Sequence, residues 1–192
     1  MPISRCLRLL LALALVMAAA PTIGSGAQRY MIAPDSSVAA RVAFFGLASK
    51  TARFPKVSGE ITLDPAKLDS IGLTVTIDAK ALTAGDRVTR ERLKGPAFFD
   101  VGRHPTITFT GRDMRLTGAR TAEVSGQLTA RGVTRPVRLN VVFAADPRSA
   151  GKAPLRLTGR TTIDRRDFGM TAYSVVVGRK VTITLDVRVT PG

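Results

Sequence analysis

Alternation of apolar and polar side chains dominates the chain from residue 28 onward. Its clearest stretch is the C-terminal run, where Val181, Ile183, Leu185, Val187 and Val189 alternate with Lys180, Thr182, Thr184, Asp186 and Arg188. A period of two over this length predicts a half-buried β-strand. The same period sets Val137, Leu139, Val141 and Phe143 against Arg138, Asn140 and Val142, and Leu73, Val75, Ile77 and Ala79 against Thr74, Thr76 and Asp78. Further strands are predicted around 38–45, 57–63, 106–110, 122–131 and 155–163. These runs are short, bounded by Gly, Pro and Asp, and separated by no long helical pattern, which predicts an antiparallel meander rather than βαβ units. One segment, Thr83 to Val101, departs from the pattern. Thr83 and Asp86 can cap a short helix bearing Val88, Arg90, Arg92 and Leu93, and Gly95-Pro96 stops it. Phe98 and Phe99 follow at once on a turn, where one of them is expected to plug an open end of the sheet. Residues 145–154 read as a long hairpin loop.

About eight strands of this length must hide their edges, and closing the sheet removes them. The predicted fold is therefore all-β, an antiparallel β-barrel of about eight strands with a short helix near one end. The inward rows are Val38, Ala40, Val42 and Phe44; Val75 and Ile77; Ile107 and Phe109; Gly126 and Leu128; Val137, Leu139 and Val141; Leu157 and Ile163; and Ile183 and Leu185. Phe98, Phe99, Phe168 and Met170 are expected at a barrel end. An eight-stranded interior is either filled by side chains or holds one small ligand. Small residues interrupt the inward rows at Ala40, Gly126, Ala130 and Gly159. They leave a tunnel, or they relieve crowding where strands bend, and the pattern alone does not choose.

The first residues resemble an export leader. Arg5 and Arg8 precede an uncharged apolar run from Leu9 to Ala20, too short to span a bilayer. Cleavage after Ala27, with small residues at Ser25 and Ala27, leaves Gln28 first. The expected division is a signal peptide over 1–27 and one barrel domain over 28–192, with a periplasmic or secreted location. Cys6, the only cysteine, leaves with the leader, so stability must come from the core alone.

The formal net charge is +15, which points toward nucleic acid or an anionic membrane. Arg41, Arg53, Arg115, Arg138, Arg156 and Arg188 fall singly along the strands, without the clustered stripe or aromatic platforms that nucleic acid requires. Nucleic acid is therefore not an expected partner, whereas a basic solvent face and transient contact with an anionic membrane surface both suit the pattern. Catalytic chemistry is sparse. His104 is the only histidine, so no multi-histidine metal site can form, and no cysteine remains as nucleophile or zinc ligand. Asp164 and Asp167 flank Arg165 and Arg166 in a cluster expected to lock a tight loop, with Phe168-Gly169 tucking a ring into the barrel end. The expectation is a protein that is not an enzyme and needs no metal.

Several ordered segments resemble one family. The run from Phe98 to Phe109, FFDVGRHPTITF, is similar to the FFD…yPtItF signature of the YceI-like family. Gly126 to Val137, GQLTARGVTRPV, is similar to its GdLTirGvTkpV, and Ile163 to Met170, IDRRDFGM, to its idRsdFGm. The resemblance spans essentially all of residues 28–192. It implies an extended lipocalin-like barrel that binds a polyisoprenoid, an isoprenoid quinone or a related amphiphile in a long tunnel, lined by the inward residues named above. The departures are polar: Ser36 and Phe44 stand where the family often carries histidine, and Thr89-Arg90-Glu91-Arg92-Leu93 stands for its RDxHL. Arg90, Arg92, Arg165 and Arg166 are the candidate head-group contacts, because a guanidinium fork suits a lipid diphosphate. A homodimer is compatible with this reading. The competing function is an accessory protein of an envelope-stress or electron-transfer system, with a side-chain-filled barrel.

Overall fold

The computed structural model describes residues 26–64, 67–149 and 153–192. Most of the expected leader and part of the 145–154 loop lie outside the described residues. The strands are β1 (Gln28–Ile32), β2 (Ser37–Phe44), β3 (Ala48–Phe54), β4 (Val57–Asp64), β5 (Lys67–Asp78), β6 (Thr83–Ala84), β7 (Thr106–Leu116), β8 (Thr121–Ala130), β9 (Val133–Phe143), β10 (Leu155–Asp164) and β11 (Val177–Pro191), with one α-helix, α1 (Arg87–Lys94).

Every pairing is antiparallel, and the order β1-β4-β5-β7-β8-β9-β10-β11 returns on itself where Tyr30 of β1 stands opposite Pro191 of β11. The result is a closed eight-stranded barrel. β2 and β3 are not additional staves but continuations of β1 and β4. β2 follows β11 from Ser37 opposite Asp186 to Phe44 opposite Val177, and β3 follows β2. Two local interruptions separate the halves. Pro55, lacking an N–H, breaks the run from β3 to β4. Between β1 and β2, the buried Ser36 hydroxyl accepts from the Arg188 N–H at 3.1 Å and so keeps the ladder satisfied.

β5 stops at Asp78 while β3 runs on. The segment 79–105 fills that corner, with β6 pairing on β3 (Ala52 opposite Ala84) and α1 following. The cap of α1 is Asp86; Thr83, also expected there, belongs to β6 instead. The Asp86 carboxylate accepts from the Thr89 N–H at 2.7 Å, the Thr89 hydroxyl at 2.8 Å and the Lys50 ammonium at 3.0 Å. The Gly95 N–H ends the helix on the carbonyls of Glu91 and Arg92. This end of the barrel, with the β2–β3, β8–β9 and β10–β11 connections, is called the lid end below.

The two bonds from Thr89 and the ammonium of Lys50 hold the Asp86 carboxyl down to about 2, against an ordinary aspartate value of about 3.9. A depressed carboxyl contributes its stability above the unfolded value and loses it as pH falls through the folded one. Asp86→Asn keeps a capping oxygen and removes the charge. The advantage in Tm of the unsubstituted chain over Asp86→Asn is therefore full at neutral pH and shrinks below about pH 4. It is gone once the carboxyl itself is protonated, below about pH 2. Thermal melts of both chains across that range check the expectation.

Candidate functional site: the barrel lumen

The inward rows enclose a lumen that runs from Tyr30, Ile71 and Met114 at one end to Phe99, Arg165 and Met170 at the lid end. Along β11 its lining extends from Val181 to Val189, which is roughly 26 Å of strand and, at the usual barrel tilt, about 20 Å of axis. The cavity has a volume of about 200 Å³, more than ten times the roughly 10–15 Å³ that one water needs. Among the described residues that line it, only Tyr30, Thr161 and Arg165 carry polar side-chain groups. Burial raises the pKa of the Tyr30 hydroxyl. Among the described residues, no three His, Cys, Asp or Glu side chains converge to hold a metal.

Accessibility separates an open barrel from a filled one. Ala40, Leu73, Val75, Val137, Leu157, Ile183 and Leu185 all point inward, yet each is only half-buried. In a packed core these positions lose their surface to neighbours; here they keep it facing the lumen. The glycines do not create this space. A Cβ on Gly126 would stand 2.6 Å from Cζ of Phe109 and 2.4 Å from the Thr110 carbonyl oxygen, and one on Gly159 would stand 2.7 Å from Cδ1 of Leu185. Phe109 and Leu185 therefore lie down against the wall over the glycines. Large rings and branches fold flat where a side chain is missing, and the axis stays clear.

The lid is built around Arg165, which is almost wholly buried. Its Nε donates to the Gly178 carbonyl at 3.0 Å and one terminal nitrogen to the Val177 carbonyl at 2.9 Å; the other donates to the Met170 carbonyl. The guanidinium also lies over the Phe98 ring, 6.0 Å from its centroid. Burial, then the neighbouring charge of Arg166, lowers its pKa from the ordinary arginine value, although a guanidinium stays protonated at any working pH. The turn is closed at Gly169, whose φ of +74° suits glycine. Phe168 is nearly inaccessible beneath it. Asp164 accepts from the Arg166 N–H at 3.1 Å and pairs with Arg179 at 3.1 Å. The first of these contacts contributes most to lowering its pKa.

Both the sequence and the closed antiparallel barrel have known relatives. The model of the YceI-like domain matches residues 30–189. The chain belongs to the YceI-like domain family. A UPF0312 protein of Vibrio cholerae is 28% identical over 138 residues, which are 70% of this chain and 72% of that protein. One from Pseudomonas putida is 28% identical over 133 residues, 68% of each chain. Among solved structures, BcnA of Burkholderia cenocepacia superposes with a TM-score of 0.73 at 23% identity, covering 82% of this chain and 98% of that one. A polyisoprenoid binding domain from Saccharophagus degradans, implicated in plant cell wall breakdown, gives a TM-score of 0.64 at 15% identity, covering 85% and 98%. At these identities the two structures share the fold with this chain.

Within this YceI-like lumen the sequence-predicted residues divide. Val38, Ala40, Val75, Ile77, Phe99, Ile107, Phe109, Leu128, Val137, Leu139, Val141, Leu157, Ile163, Met170, Ile183 and Leu185 line it, as does Arg165. Val42 and Phe44 share the inward face of β2 but lie toward the hairpin tip, opposite Val181 and Val177, outside the lining. Gly126 is covered by Phe109, as above. Phe98 and Phe168 are buried in the lid rather than on the bore; Phe98 stacks on Tyr173, with centroids 5.9 Å apart, and Phe99 meets Phe54 edge-on at 5.5 Å. Arg90, Arg92 and Arg166 lie outside the lining. Arg90 pairs with Glu91 at 3.2 Å, and Arg92 lies over the Tyr173 ring at 5.6 Å. The sequence reading passed over Tyr30, Ile32, Phe54, Ile71 and Met114. β1 is only five residues long, and a bulge between Gly111 and Asp113 shifts the alternation before Met114.

Proposed function

We propose that this chain is a binding protein that holds a single long-chain isoprenoid lipid, such as a polyisoprenoid or an isoprenoid quinone, along the barrel axis and carries it between membranes. The observation that supports this most is the ring of half-buried inward side chains around a continuous apolar bore. Each methylene moved from water into such a bore contributes about 0.8 kcal/mol, so an extended chain gains affinity along its whole length without directional contacts. A compact ring system could use only a short part of that length. The likeness in fold to a polyisoprenoid binding domain supports the same ligand class.

Among the described residues that line it, the bore carries no paired acid and base and no activated nucleophile, which favours binding over catalysis. The three carbonyls that Arg165 already serves make it a structural clamp first, so ligand choice rests on chain length and stiffness more than on a head group. The leader-like sequence over residues 1–27 fits delivery to the periplasm or outside the cell, where such a lipid needs a carrier.

Uptake by the delipidated chain tests the reading. A quinone with a long prenyl tail is expected to co-elute with the protein at one molecule per barrel, whereas a quinone with the same ring and a single prenyl unit is not. Equal retention of both would mean that the ring, not the chain, is recognised.

A further inference from the structure

The chain exposes seven large apolar side chains among the described residues, and five of them, Phe45, Leu47, Val88, Tyr173 and Val175, are at the lid end. Leu47 is fully exposed and Val175 96% exposed. The segments that carry them are joined to one another. The Phe45 N–H donates to the Val176 carbonyl at 2.8 Å, tying the β2–β3 tip to the lid loop. Arg92 of α1 lies over Tyr173, and Lys50 of β3 pairs with Asp86 at the start of α1. Tyr173 in turn stacks on Phe98, which lies against Arg165 at the end of the bore.

Two of these side chains stand on backbone that disfavours them. Phe45 has φ +52° and Tyr173 φ +56°, the left-handed region that Gly or Asn takes far more readily than a bulky residue. Tyr173 is held by Phe98 and Arg92, but among the described rings Phe45 meets only Phe44, edge-on at 4.6 Å, and is 65% exposed, so its ring gains little burial in return for the strain. Strain of this kind points to a function for the residue. Cations surround the patch. Arg87, Arg92 and Lys94 on α1 and Lys180 at the base of the lid have no carboxylate partner among the described residues. Apolar tips beside cations that no carboxylate neutralises match the interface of a bilayer that carries anionic lipid, where tips bury beneath the head groups and cations meet phosphate.

We propose that the lid end is a membrane-docking surface for anionic bilayers, seating Phe45, Leu47 and Val175 in the interface and so presenting the lid of the lumen to the lipid phase. The proposal rests on the carrier reading for its purpose, but not for its evidence. The test uses sedimentation of the chain with vesicles of phosphatidylglycerol and phosphatidylcholine, against vesicles of phosphatidylcholine alone. Binding is expected to the first and to weaken as salt is added. Phe45→Ser with Leu47→Ser and Val175→Ser is expected to lower it at least about tenfold with an unchanged thermal transition. Leu47→Ser alone, at a side chain that touches nothing, gives a smaller loss in the same direction and cannot act through the fold. Undiminished vesicle binding by the triple variant would overturn the proposal. So would absence of binding by the unsubstituted chain, or a dimer in sedimentation velocity that the triple variant dissolves, which would assign the patch to a second copy. An empty lumen in a chain that still binds vesicles would instead remove the carrier reading and leave the docking surface standing.

Discussion

Arg165→Ala is expected to lower the stability of the barrel by about 3 kcal/mol, because three charge-assisted hydrogen bonds are lost while their acceptors stay in the lid. For a chain of this size that corresponds to a fall in Tm of roughly 6–12 °C. The carbonyls of Met170, Val177 and Gly178 all face the guanidinium, and alanine leaves them without a donor beside a void. Arg165→Lys is expected to recover only part of the loss, since a single ammonium cannot span three acceptors that a planar fork reaches at once. Hydrogen exchange should quicken over residues 169–178 in both variants. Arg166→Ala is the control: that exposed side chain pairs with Asp164 at 3.4 Å, and Asp164 keeps Arg179 and the backbone N–H of residue 166 without it, so its Tm should scarcely move. Equal destabilisation by the two alanines would mean that the lid is held by net charge rather than by the carbonyl clamp.

Ala40→Phe is expected to leave the barrel folded and to remove its long-chain ligand. Ala40 sits on β2 between Ile183 of β11 and Ala52 of β3, lines the bore and is only half-buried. A ring at this position extends into open space rather than into packed neighbours. Excluding three or four methylene-sized groups of ligand forfeits about 3 kcal/mol, on the order of a hundredfold in affinity. Gly126→Ala gives the opposite outcome. Its new methyl collides with the Thr110 carbonyl oxygen and the Phe109 ring, so stability falls while ligand affinity changes little. Were Ala40→Phe instead to cost the 1–3 kcal/mol typical of an overpacked core and leave lipid bound, the bore would have to lie elsewhere.

The contrast between Ala40 and Gly126 also marks what the sequence could and could not reveal. Strands with clean alternation, such as 180–189 and 137–143, were legible because an inward row of Val, Ile and Leu has no other arrangement in an antiparallel sheet. The closed barrel followed from the need to hide edges. β3 was not legible: Ala48 to Phe54 carries Lys50 and Ala52 at inward positions, so its period is invisible without the neighbouring strand. Nor could the sequence say whether a small residue opens a gap or receives a neighbour, because that depends on which rotamer a side chain on another strand adopts. Ala40 faces empty space and Gly126 lies beneath Phe109, yet both are small residues in an inward row. Arg165 was legible as part of a charge cluster. Its partners were not: of the two expected carboxylates only Asp164 is paired, with Arg166 and Arg179, and carbonyls up to thirteen residues away serve Arg165.

The central claim is that the lumen exists to be occupied by a long apolar chain, and the most direct measurement is of what the protein holds when it is isolated gently from its own host. Organic extraction followed by mass spectrometry is predicted to release close to one molecule per barrel of a lipid with an extended prenyl tail, and the lipid is predicted to be missing from Ala40→Phe prepared in the same way. Recovery of no lipid, from a chain that also takes up no added isoprenoid quinone, would contradict the account.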